Sequence, residues 1–146
     1  MLAQSCPWHE RVPRALHLQG ELGSGKTTLT RGLLRALGES GSIISPSYSL
    51  IELYSLRAGL VVHVDLYRLN SAAEFDALGL ADYHQGRTLL LIEWPERAAT
   101  RLPPADIALT LRFEGEGRRC QAEAAGEAGE SWLAQMRERQ ARARLT

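Results

Sequence analysis

The sequence of 146 residues contains one lysine, Lys26, although 17 of its residues are basic. Every other positive charge is an arginine, so Lys26 marks a position where a compact, flexible ammonium cannot be exchanged for a planar guanidinium. Cysteine is nearly as scarce. Cys6 and Cys120 stand far apart, without CxxC spacing or histidine neighbours, and this points away from a disulfide framework and from zinc. No apolar run approaches the roughly 20 residues of a membrane-spanning helix, and the N-terminus lacks the long apolar core of a secretory signal. These absences lead to the expectation of a cytoplasmic protein with no membrane partner. The formal net charge is zero, so there is no global attraction for DNA or another polyanion.

What is present suits a single domain over residues 1–146, a length that can bury roughly two thirds of its unfolded surface around one core. Ala15 to Gln19 alternates as a strand, and Leu29, Leu33, Leu34 and Leu37 then recur at helical spacing, with Gly38 as a stop. Ser42 to Ser45 reads as a short strand or loop. Ser47 to Leu56 and Leu60 to Tyr67 read as strands of a hairpin turning at Arg57-Ala58-Gly59. Ser71 to Glu74 fits a capping box ahead of a short helix. Thr88 to Trp94 is a continuous apolar run ending in an acid, as expected of a central strand covered on both faces. Asp106 to Glu114 and Arg118 to Ala125 form a second hairpin, and Ser131 to Leu145 a C-terminal helix. Between them, Ala122 to Glu130 is rich in Ala, Gly and Glu and reads as loose.

Between the first strand and the first helix, Gly20-Glu21-Leu22-Gly23-Ser24-Gly25-Lys26-Thr27 matches the phosphate-loop pattern G-x-x-x-x-G-K-[ST] at every fixed position. Chance produces that pattern in on the order of one chain of this size in 200, and the strand–loop–helix context lowers the odds further. Glycines let successive N–H groups turn toward phosphate oxygens, and the helix adds the positive end of its dipole. This assigns Glu21, Leu22, Gly23, Ser24, Gly25, Lys26, Thr27 and Thr28 to ATP, with Lys26 on the β and γ phosphates and the Thr27 hydroxyl on Mg2+. The plain alternative is a glycine-rich turn that only starts a helix. Magnesium also needs a carboxylate at the tip of a neighbouring buried strand. Glu93 is favoured as that ligand, with Asp65 as its partner or as the group that orients water; the plain reading of each acid is a solvated strand end.

Other features are weaker. Asp76-Ala77-Leu78-Gly79 mimics the DxxG of GTPases but lies in a helical pattern, and no NKxD motif accompanies it, so GTP is discounted. His63 and His17 read as packed core histidines rather than catalysts. The tail arginines Arg137, Arg139, Arg142 and Arg144 read as a solvated helix face.

With the loop, Ser45-Pro46-Ser47-Tyr48-Ser49-Leu50, His63-Val64-Asp65-Leu66-Tyr67-Arg68-Leu69 and Ile92-Glu93-Trp94-Pro95-Glu96 in that order, the chain resembles the TsaE (YjeE) family from about Ala15 to Phe113. Members are bacterial ATPases of tRNA threonylcarbamoyladenosine synthesis. The resemblance implies a Mg-dependent ATPase that binds the TsaD and TsaB proteins and resets their complex between rounds of modification, touching tRNA indirectly through that complex. It places Lys26, Thr27 and Thr28 on ATP and magnesium, Glu93 on magnesium and Asp65 close to hydrolysis. Ser45, Pro46, Ser47, Tyr48, Ser49, Tyr67, Arg68 and Trp94 become switch or partner-facing positions. Ser47 and Ser49 stand where the family usually has threonine, which keeps the hydroxyl. The family also carries a further strand and helix before the first P-loop strand, where this chain has a short segment, residues 1–14. Either the start is misassigned or Trp8 and its neighbours supply that cover.

The fold expected is α/β: a three-layer P-loop NTPase-like domain whose central, mixed β-sheet is flanked by helices. Two other functions fit the loop alone. One is a small-metabolite kinase, which would consume ATP with a small acceptor. The other is a non-catalytic nucleotide-dependent binding module, which would not need Glu93.

Overall fold

The computed structural model describes residues 1–8 and 11–143. After a turn of 3-10 helix at Ala3–Ser5, the elements run β1 (Arg14–Gly20), α1 (Lys26–Ala36), β2 (Ile51–Leu56), β3 (Gly59–Asp65), α2 (Ala72–Ala77), α3 (Leu80–Tyr83), β4 (Thr88–Glu93), β5 (Ile107–Glu114), β6 (Gly117–Ala124) and α4 (Gly126–Ala143). The six strands form one sheet in the order β2-β3-β4-β1-β5-β6. β3, β4, β1 and β5 are mutually parallel, and β2 and β6 close the edges as antiparallel hairpins. The sheet is therefore mixed, with helices on both faces.

Strand alternation explains the three layers. In β4, Leu89 and Leu91 join Leu33, Leu34, Trp132 and Leu133 in a cluster under α1 and α4, whereas Leu90 and Ile92 join Phe75 and Leu80 under α2 and α3. Because both faces are covered, β4 has no polar side to show, and its apolar run is continuous. The period of two then decides where the strand-end acids point. Glu93 follows Leu89 and Leu91, and on β3 Asp65 follows Val61 and His63, so all of these face the α1 layer. No helix among the described residues is long and apolar enough to cross a membrane.

Several boundaries differ from the sequence reading. β2 begins at Ile51, not Ser47, because the chain first turns: the Leu50 N–H donates to the Pro46 carbonyl at 2.7 Å, and Leu50 takes a left-handed φ of 63°. Proline and the serines favour that turn. β3 ends at Asp65, not Tyr67, because the Asp65 carboxylate itself accepts the Tyr67 N–H at 3.0 Å. Ser42 to Ser45 is a loop, tied down where the Tyr54 hydroxyl meets the Ile44 carbonyl at 3.2 Å. The capping box is present in part: Ser71 Oγ accepts the Glu74 N–H at 3.1 Å, but the Glu74 carboxylate returns to Asn70 N rather than to Ser71.

The largest difference is α4, which starts at Gly126 rather than Ser131; Arg144 and Leu145, the end of the predicted helix, lie outside the described residues. The glycine-rich stretch is not loose. A Cβ at Gly129 would lie 2.1 Å from the Asp106 carbonyl oxygen, so the residue is small because the helix is pressed onto the chain leading into β5. Gly129→Ala is expected to cost about 2 kcal/mol through forced displacement, a fall of roughly 4–8 °C in Tm. Gly32→Ala, mid-α1 with open space around it, is expected to gain roughly 0.5–1 kcal/mol from helix propensity. Thermal unfolding of the two variants checks both signs; an unchanged Tm for Gly129→Ala would mean that α4 does not sit there.

Candidate functional site

The parallel strands end together. Register pairs Leu18 on β1 and Asp65 on β3 with Glu93 on β4, so the loop after β1 emerges beside both acids. Three glycines with positive φ shape that loop: Gly20 at 140°, Gly23 at 77° and Gly25 at 103°. At Gly20 a Cβ would also stand 2.4 Å from the Leu111 carbonyl oxygen, so only glycine fits. Gly25 is the left-handed N-cap of α1 and makes no side-chain cap, which leaves the first amides of the helix directed into the loop.

Lys26, the first residue of α1, folds back across this loop and is buried. Its Nζ donates to the Gly20 carbonyl at 2.6 Å and the Glu21 carbonyl at 2.9 Å, with Ser24 Oγ at 3.5 Å. It also sits 3.9 Å from the centroid of the Trp94 ring. Burial pushes the ammonium pKa down, and the charges of Glu93, Glu96 and Asp65 oppose that shift. Trp94 reaches the lysine because its own φ is 60°, a conformation costing roughly 1–2 kcal/mol in a bulky residue. Tyr67 packs on Trp94 with ring centroids 4.9 Å apart.

Glu93 is 1% exposed. Its Oε2 accepts from Thr27 Oγ1 at 3.0 Å, and its Oε1 from Thr30 Oγ1 at 3.3 Å and His63 Nε2 at 2.8 Å. Asp65 is also buried. Its carboxyl pKa is raised, first by burial and further by the Glu93 charge, against the Tyr67 N–H, His63 and the Lys26 ammonium. The oxygens gathered here suit a hard divalent cation. Having given its hydrogen to Glu93, Thr27 Oγ1 presents only lone pairs, and a carboxylate lies beside it. Among the described residues no cluster of three or more His, Cys, Asp or Glu forms an all-protein cage. A hydroxyl oxygen beside a carboxylate is a donor set that suits magnesium, which is commonly held by one or two carboxylates together with phosphate oxygens.

The structure thus brings Lys26, Thr27, Asp65, Glu93, Trp94 and Tyr67 together. Thr28, Gly23, Ser24 and Gly25 line a cavity of about 1000 Å³ beside the loop, walled by α1, β5, β6, α4 and Met1 to Ala3. Glu21 and Leu22 are exposed on the loop. The Ser45 to Ser49 segment forms a separate cluster: Ser45 Oγ meets Ser47 Oγ at 2.9 Å, Pro46 is buried, Ser49 is exposed, and exposed Tyr48 lies under the Arg68 guanidinium at 4.4 Å. Trp8 does not cover this end. It packs against Gly59 at the start of β3, opposite the strand tips, and the segment that lines the cavity is Met1 to Ala3. A smaller cavity of about 560 Å³ lies in the other helical layer and contains none of these residues. Asp76, of the DxxG mimic, is paired with Arg101 there.

Two residues of the cluster, His63 and Thr30, are missed by sequence reasoning. His63 is indeed buried, but it contacts the acid at the centre of the site. Its spacing of two from Asp65 was the available signal, since that places both on one strand face. Thr30 follows Thr27 by three residues, one turn along α1. His17 belongs to neither: it alternates with Leu16 and Leu18, its Nε2 lacks a partner among the described residues, and burial lowers its pKa against an opposing hydrogen bond to Pro103.

Comparison with known proteins gives a consistent picture. The sequence model of the family described as threonylcarbamoyl adenosine biosynthesis protein TsaE matches residues 2–121. The tRNA threonylcarbamoyladenosine biosynthesis protein TsaE of Haemophilus influenzae is 39% identical over 110 residues, 75% of this chain and 70% of that protein. The protein of the same name from Treponema pallidum is 38% identical over 102 residues, 70% of this chain and 75% of its own. Among solved structures, the crystal structure of Bacillus subtilis YdiB superposes with a TM-score of 0.73 at 25% identity, covering 95% of this chain and 86% of that one.

Proposed function

The chain belongs to the TsaE family of threonylcarbamoyladenosine biosynthesis, and from that premise we propose that it is a P-loop ATPase that hydrolyses ATP to drive or reset the TsaD–TsaB complex during tRNA modification. The observation that carries this reading is the Glu93 carboxylate 3.0 Å from the Thr27 hydroxyl, beside the one lysine of the chain. A site meant only to grip phosphate has no use for a buried anion at that point. A site that holds a cation against phosphate does.

In this reading the loop amides from Gly23 to Thr28 bind the phosphates, and Lys26 exchanges its carbonyl partners on Gly20 and Glu21 for phosphate oxygens. Thr27 and Glu93 would hold magnesium. When bound, the metal supplies charge neutralisation on the phosphate oxygens. Asp65 orients the attacking water, since its raised pKa and its place beside Glu93 let it accept a proton or a hydrogen bond there. Trp94, with Tyr67 packed on its ring, covers the lysine and keeps water from the charge it carries.

The test combines the purified protein with TsaD, TsaB, tRNA and ATP, and follows phosphate release and threonylcarbamoyladenosine together. Slow hydrolysis by the protein alone, faster with TsaD and TsaB and accompanied by modified adenosine, is the expected outcome. Hydrolysis indifferent to both proteins would remove the proposed role, and ATP consumption that requires a small acceptor would replace it with a kinase.

A further inference from the structure

A carboxylate this deeply buried needs donors that meet its lone pairs. Glu93 has three side-chain donors, drawn from α1 and β3: Thr27 on Oε2, and Thr30 and His63 on Oε1. His63 is the shortest of these contacts, at 2.8 Å, and is itself fully buried. Its Nδ1 has no hydrogen-bond partner among the described residues, so its polar work is the bond to Glu93. A carboxylate oxygen accepts, so the proton of this bond belongs on Nε2. The neighbours of His63 on its strand face are Val61 and Asp65, and an aliphatic side chain would fill the same place without leaving a ring nitrogen unpaired.

We infer that His63, with Thr30 beside it, is a positioning residue for Glu93: the Nε2–H holds Oε1 so that Oε2 is turned to the Thr27 hydroxyl and the phosphate loop. Register explains the reach. His63 lies opposite Leu91 and Asp65 opposite Glu93, so the imidazole extends along the strands to the carboxylate rather than straight across. With both donors on Oε1, rotation of the carboxylate away from Thr27 breaks two hydrogen bonds at once. The inference rests on the proposed role of Glu93, and it adds a residue whose contribution is orientation rather than contact with ATP.

The test compares His63→Leu, which removes the donor, with His63→Gln, whose amide can restore one, and with Thr30→Val. Measured are kcat, the Mg2+ concentration for half-maximal turnover, ATP binding in EDTA and Tm; long-range 1H–15N spectra of the metal-free wild type report the imidazole tautomer. His63→Leu is expected to raise the Mg2+ requirement and lower kcat, each by about 10–100-fold, as for other residues that orient metal ligands. ATP binding in EDTA stays within about twofold because the phosphate loop is untouched. His63→Gln recovers most of the loss, and the wild-type proton is found on Nε2. Equal impairment of the Leu and Gln variants, an unchanged Mg2+ dependence in His63→Leu, or a proton on Nδ1 alone overturns the inference. Should His63→Leu not fold, Thr30→Val decides: a smaller rise in the Mg2+ requirement supports the inference and an unchanged value overturns it. Failure of the underlying reading looks different, because the wild type itself then shows no magnesium-dependent turnover.

Discussion

Lys26→Ala is expected to lower ATP turnover by about a hundred- to a thousandfold, the loss seen when one charge-stabilising donor is removed from a water-poor site. The structure gives the reason for so large an effect. The ammonium interacts with the charges of Glu93, Glu96 and Asp65, and it is held between the Gly20 and Glu21 carbonyls and the Trp94 ring. Alanine removes that ammonium, so it no longer offsets the charge of the acids beside the phosphates. Nucleotide affinity falls too, since the lysine binds the ground state as well as the transition state. Lys26→Arg does not restore activity: a guanidinium is wider and planar, and the slot between the carbonyls and the indole accepts a single nitrogen. Steady-state hydrolysis with a fluorescent nucleotide titration measures both effects. Turnover undiminished in Lys26→Ala would falsify the phosphate-loop assignment.

Glu93→Gln is expected to give the second large effect, a loss in turnover of about a hundredfold or more with ATP binding in EDTA preserved. Glutamine keeps the shape and one acceptor oxygen, but its amide nitrogen must face donors, and the charge that would hold the cation is gone. The Mg2+ requirement rises accordingly. This variant separates the enzymatic reading from the nucleotide-dependent binding module. If threonylcarbamoyladenosine formation with TsaD and TsaB proceeds normally on Glu93→Gln while hydrolysis is lost, nucleotide binding alone is the function and the catalytic account fails.

How far the sequence foretells this site depends on how local each feature is. The loop conformation is encoded within eight residues, because Gly20, Gly23 and Gly25 occupy backbone angles that other residues rarely adopt. β4 is legible for a similar reason: four consecutive apolar residues, Leu89 to Ile92, bounded by turn signals fit a short strand covered on both faces. The fold class follows from these two together. The boundaries that moved did so where a side chain or a neighbour captured a backbone group. Asp65 took the Tyr67 N–H and ended β3, and Gly129 came to rest on the Asp106 carbonyl within a helix whose composition looked loose.

His63 shows the limit most clearly. Its burial was expected from its apolar neighbours, but its partner Glu93 is 30 residues away in sequence, and the threonines that share that partner lie 63 and 66 residues from Glu93. From its own residues the sequence determined the glycine-shaped loop, the solitary ammonium and the acids at two strand ends, since backbone angles and side-chain chemistry are properties of the local chain. Only the tertiary structure decided which donors surround Glu93, because that depends on β3 docking in parallel beside β4 and on the turn of α1 that faces them.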